Sequence, residues 1–131
     1  MNIGNNEECA TGRIRQLAGV PVLVCAGGRD RLAADRDAAD LVGEALSGGA
    51  RWVVVPVERL GEGFLDLSTR LAGELLQKFV NYGLGVALVG DVAGAIAHSP
   101  ALGDFVRESN RGRHVWFVAD LAEFEARLAG S

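Results

Sequence analysis

Residues 51–82 read RWVVVPVERLGEGFLDLSTRLAGELLQKFVNY, and this stretch decides the fold class. Trp52 to Val57 is a short, Val-rich apolar run of strand length, buried on both faces. Pro56 lacks a backbone donor and marks the place where the strand ends or bends. Glu58 to Leu67 reads as a connecting loop. Ser68 then offers an N-cap for a helix reaching Tyr82, with Leu71, Ala72, Leu75, Leu76, Phe79 and Val80 on one apolar stripe. Gly83 stops it. A buried strand followed by an amphipathic helix is one unit of an α/β domain.

The same unit recurs on both sides. Arg13 to Ala18 reads as a first edge strand, and Val20 to Ala26 as a buried strand closed by Gly27 and Gly28. Asp35 caps a helix whose apolar positions Ala38, Ala39, Leu41, Val42, Ala45 and Leu46 recur at helical spacing. Ser47-Gly48-Gly49 ends it, with Gly in the position after the cap. Gly85 to Val89 is a third buried strand, and Val92 to His98 a short helical turn. Ser99-Pro100 starts a helix to Ser109 or Asn110, because Pro is tolerated in a first turn where no N–H is needed. His114 to Val118 is the last strand, and Asp120 caps a helix over Leu121 to Ala129. The expectation is one α/β domain over 13–131, with a mainly parallel sheet of four or five strands, preceded by a flexible tail over 1–12.

With 131 residues and 49% hydrophobic content, one chain of this kind buries roughly 70% of its unfolded surface without help from metal or disulfides. The net charge of −4 leaves no basic excess for nucleic acid. MNIGNNEECATG has neither the basic nor the apolar region of a signal peptide, and no apolar run is long enough to span a bilayer. The default is therefore a cytoplasmic protein with reduced thiols. Cys25 then reads as a small core hydrophobe rather than a disulfide partner of Cys9. Lys78 is the only Lys beside many Arg, a codon signature of a GC-rich bacterial genome.

DAADLVGEA, VVVPVERL, LAGELLQKFVNY, GDV, DFVRESNRGR and VWFVADL together closely resemble the bacterial family DUF4180, which has no assigned function. The element order also resembles, more distantly, the STAS domains of anti-sigma-factor antagonists. There, a strand and loop lead to a helix start that carries a phosphorylatable hydroxyl. Thr69 falls at that hydroxyl in Asp66-Leu67-Ser68-Thr69-Arg70-Leu71, although Leu67 and Arg70 depart from the Asp-Ser-Ser-Gly-Leu pattern. This resemblance implies a STAS-like module that binds a protein partner under phosphorylation control.

The candidate sites follow. Ser68, Thr69 and Arg70 lie at a helix start, where unpaired N–H groups and a partial positive charge favour a phosphate. The plain alternative is a simple N-cap. A second candidate set is Gly27, Glu58, Asp91 and His98, at the carboxyl edge of the sheet where open α/β folds bind small molecules. Ordinary turn chemistry also accounts for Gly90-Asp91. Gly90 to Gly94 is no phosphate-binding P-loop, because no Lys-Ser or Lys-Thr pair follows it. His98 and His114 have no Cys or His at metal spacing, so no metal or cofactor is implied. Cys25, Asp91 and His98 form a catalytic constellation only if the strand ends converge. Arg107, Arg111 and Arg113 complement a helix C-terminus, or face a partner or an anion. The leading reading is a regulatory, non-catalytic interaction module. A small-molecule-binding protein or small enzyme is second, and a homodimer covering an exposed helix face is third.

Overall fold

A computed structural model describes residues 12–25, 35–57 and 71–130 of the chain. Five strands form one sheet in sequential order: β1 (Gly12–Leu17), β2 (Val20–Cys25), β3 (Trp52–Pro56), β4 (Gly85–Val89) and β5 (Val115–Val118). β1 and β2 are antiparallel, with Leu17 opposite Val20, and every later pair is parallel. The sheet is thus mixed, with four parallel strands and one antiparallel edge. The two-residue turn between β1 and β2 holds Ala18 at φ 52° and Gly19 at φ 80°. Both values belong to the turn type that matches strand twist, but a side chain at the first costs about 1 kcal/mol.

Among the described residues five helices accompany the strands: α1 (Asp35–Gly48), α2 (Leu71–Asn81), α3 (Ala93–Ala97), α4 (Pro100–Arg111) and α5 (Leu121–Gly130). A sequential strand order with one crossover hand puts every connecting helix on the same side. Leu41, Val42 and Ala45 of α1, Leu75, Leu76 and Phe79 of α2, and Phe105 and Val106 of α4 accordingly pack on Leu23, Val53, Val55, Val86, Leu88 and Phe117. We call this the first face. The opposite face presents Val22, Val54, Ala87, Trp116 and Val118, and α5 covers it with Phe124 and Leu128.

Helix ends follow local chemistry. In both α1 and α2 the chain turns on a positive-φ glycine, Gly49 or Gly83, at 77°. Ala50 N–H donates to Ala45 O at 2.9 Å and Leu84 N–H to Phe79 O at 3.0 Å, the six-to-one bond of the Schellman stop. Ser99 Oγ accepts from Leu102 N–H at 3.2 Å to start α4. Asp120 Oδ1 accepts from Glu123 N–H, and Glu123 Oε1 from Ala119 N–H, both at 2.8 Å, so α5 starts with a reciprocal cap.

Asn110 closes the outer edge of the sheet. Its Oδ1 accepts the Phe117 N–H of edge strand β5 at 2.7 Å. Its own carbonyl accepts from Arg127 Nη2 on α5. One residue therefore ties α4, β5 and α5 together and satisfies a donor that an exposed edge would leave open to another chain.

Candidate functional site

The carboxyl ends of β2 to β5 lie along one edge because these strands are parallel. From that edge α2 runs back beside the sheet. Its 11 residues match the length of a five-residue strand, roughly 16 Å each way. The described start of α2, Leu71, is therefore at the carboxyl edge and its Gly83 stop at the amino edge.

The chain leaves adjacent strands β4 and β5 in opposite directions. After β4 it passes through α3 to α4 on the first face, and after β5 through α5 on the second, with α4 and α5 the helices that pack there. Neighbouring strands whose chain exits part to opposite faces leave a crevice, the usual ligand position in open α/β sheets. A hollow of about 330 Å³ occupies this point, lined by Asp91, Ala93, Ile96, Val106, Phe117 and Val118 among others. Gly90 N–H donates to Val118 O at 3.0 Å and closes the backbone between the two strand ends. Apart from Asp91, the side chains named are apolar.

Among the described residues, the polar side chains Asp91, His98 and Asp120 near this edge are engaged with backbone. Asp91 Oδ1 accepts from Ala93 N–H at 2.8 Å, a turn that starts α3. His98 sits at the end of α3 and is not among the lining residues. Its Nδ1 lies 2.9 Å from Gly94 O, and since a carbonyl only accepts, this nitrogen donates. Asp120 is committed to its cap. Among the described residues no group of three His, Cys, Asp or Glu side chains is placed to hold a metal ion.

Of the residues singled out above, Asp91 lies on the hollow and His98 beside it at the exposed end of α3. Gly27, Glu58, Ser68, Thr69 and Arg70 lie outside the described residues. Cys25 is buried, 3% exposed, on the first face of β2. Two strand spacings, about 10 Å, separate β2 from β4, and Asp91 lies beyond the strand end. The structure therefore does not assemble Cys25, Asp91 and His98 into one constellation. Arg107 and Arg111 form exposed pairs with Asp104 and Glu108 on α4, the helix-surface use of such charges. Arg113, just past the end of α4, forms no such pair among the described residues.

Sequence reading overlooked the aromatic group on the second face. Trp52 and Trp116 approach to 4.3 Å between ring centroids at 36°, and Phe124 meets both edge-on at 5.4 and 6.0 Å. The guanidinium of Arg127 stands 4.2 Å from the Trp116 ring centroid. The signal available was period-two alternation, which puts Trp52 with Val54, and Trp116 with Val118, on one face of their strands. The strand order was needed to show that the two faces coincide.

A singly wound α/β sheet with an antiparallel edge strand, and a hollow where the chain leaves its last two strands toward opposite faces, defines the class of the fold. The chain belongs to DUF4180, Domain of unknown function (DUF4180), whose family model matches residues 17–128. Comparison with curated proteins and with solved structures gives no match. No described helix is long and apolar enough to cross a membrane.

Proposed function

We propose that the protein is a non-catalytic, STAS-like regulatory module that binds a protein partner through the carboxyl edge of its sheet. The observation that carries this is how the described part of the edge spends its polar groups. Asp91, His98 and Asp120 cap turns and helix ends, while the hollow between them is walled mostly by apolar side chains. Groups held by backbone bonds suit a rigid recognition surface better than proton transfer, which needs a side chain within reach of a substrate. Ser68, Thr69 and Arg70 directly precede Leu71, which begins α2 on this same edge. A phosphate on Thr69 would add charge beside the surface, with Arg70 as its neighbouring cation.

The test compares wild type, Thr69→Ala and Thr69→Glu for affinity toward the captured partner, with circular dichroism as a check on folding. Thr69→Glu is expected to change the affinity at least tenfold while the spectrum stays native. Equal binding by all three forms removes the regulatory reading.

The size and apolar lining of the hollow favour a second reading, a small-molecule site at the same edge. A ligand specific to the native state raises the melting temperature. Val106→Trp, which fills the hollow from α4, is expected to abolish that rise without abolishing the folded signal. A thermal shift that survives the filled hollow places the ligand elsewhere.

A further inference from the structure

At the amino edge, opposite the edge just described, Trp52, Arg113, Trp116 and Leu128 line a cavity of about 400 Å³. The geometry points to a binding site here for a small planar aromatic carboxylate. This goes beyond the proposed function and is independent of it, because no residue is shared with the hollow.

The cavity has the size of a small-molecule site and walls that are already in place. Trp116 is held from three sides. Its Nε1–H donates to Gly112 O at 2.9 Å, Arg127 stands over its ring, and Phe124 meets it edge-on. Arg127 is fixed in turn by the Asn110 carbonyl. Trp52 rests on the backbone of Gly85, where an added Cβ would lie 2.6 Å from its ring, and leans against Trp116. Two indoles fixed before the ligand arrives lose little freedom on binding, which favours affinity for a flat ring.

The polar complement is what sets the ligand class. Among the described residues, Trp52 Nε1–H makes no hydrogen bond, and the Arg113 guanidinium makes neither a hydrogen bond nor an ion pair. The side chains of Arg107, Arg111 and Arg127 all have partners. The cavity is thus lined by an indole with an unused donor, a forked cation and an aromatic wall, with no carboxylate among its lining residues. A carboxylate answers the guanidinium with two parallel hydrogen bonds, and an aromatic ring fills the space beside the indoles. A cationic ligand meets Arg113 as a like charge, and a bare anion leaves the aromatic walls unused.

The chain contains two Trp, so a ¹H–¹⁵N spectrum shows two indole signals. Titration with 2-naphthoate is expected to shift the Trp52 indole signal saturably, and that of Trp116 less, because its N–H is already bonded to Gly112. Arg113 is exposed and follows the end of α4, so Arg113→Ala is expected to keep the native spectrum while weakening binding at least tenfold. Arg113→Lys keeps the charge but not the fork and is expected to weaken it at least threefold. Arg111→Ala, a nearby surface charge, is expected to leave it unchanged. The amide 2-naphthamide tests the charge and acetate tests the ring, and each is expected to bind at least tenfold more weakly than 2-naphthoate. No saturable shift at millimolar 2-naphthoate, equal binding by Arg113→Ala, or equal binding of the amide or of acetate overturns the assignment.

Discussion

Phe124→Ala is expected to cost about 3–5 kcal/mol of folding stability, measured by urea denaturation, the range for truncating a buried Phe. Phe124 is fully buried, at 0% exposure, and it is the side chain through which α5 reaches both indoles. Among the described residues the first face has three helices contributing to its cluster, so a void there has several neighbours that can close on it. On the second face α5 is the only described helix, and its buried contribution is Phe124 and Leu128. Removing the ring leaves Trp52 and Trp116 without their edge-on partner and α5 with one buried anchor. Against a total of about 5–15 kcal/mol for a small domain, such a loss is a large share of the whole. Tryptophan fluorescence reports it directly, since both Trp residues touch Phe124. A loss below about 1 kcal/mol shows that α5 is not packed by this residue.

The elements were legible because their signals are local. Ser99-Pro100 states a helix start through a capping oxygen and a ring that fits the first turn, and α4 begins there. Gly49 and Gly83 are needed where the chain must reverse in left-handed backbone, and both helices stop at them. Continuous apolar runs told of strands covered on both faces, which the parallel strands are. Periodicity overreached in one place. Leu46 fits the apolar stripe of α1 but is 48% exposed, because the stripe is wider than the surface it packs on. The antiparallel β1–β2 turn was not legible, since Ala18 is not a residue that announces positive φ.

The candidate site was legible only in part, because its geometry depends on strand order. Asp91 was identified as a turn residue at the carboxyl edge, and it lies there. The hollow beside it exists because α4 and α5 take opposite faces, and no local pattern states which face a helix will take. Asn110 shows the same limit. In the sequence it belongs to a polar run with Arg107 and Arg111, which suggests a surface patch. In the fold its side chain satisfies Phe117 on β5, seven residues on. The Trp52–Trp116 contact is likewise a consequence of two strands on either side of β4, and it takes the registers to see that both point to the same face.

Gly85→Ala is expected to lower stability by about 2–3 kcal/mol, against the sign that backbone propensity alone would give. A glycine inside a strand costs roughly 0.5–1 kcal/mol relative to alanine, so an unobstructed methyl here would stabilise. The methyl is obstructed. Gly85 is buried directly opposite Trp52, and its added Cβ would lie 2.6 Å from Cδ2 and Cε2 of that ring and 2.7 Å from Cε3. The indole has no easy retreat, because Trp116 is 4.3 Å away by centroid and Phe124 meets it from α5. Overpacking a closed site costs about 1–3 kcal/mol or more, which exceeds the backbone gain. The mechanism makes a prediction about sign that separates it from any general intolerance at position 85. In a Trp52→Ala background the obstruction is gone, and Gly85→Ala should become neutral or stabilising. The two changes are then strongly non-additive in a double-mutant cycle, with a coupling of about 2–3 kcal/mol. Additive losses would mean that the glycine is required for a reason other than the indole that lies across it.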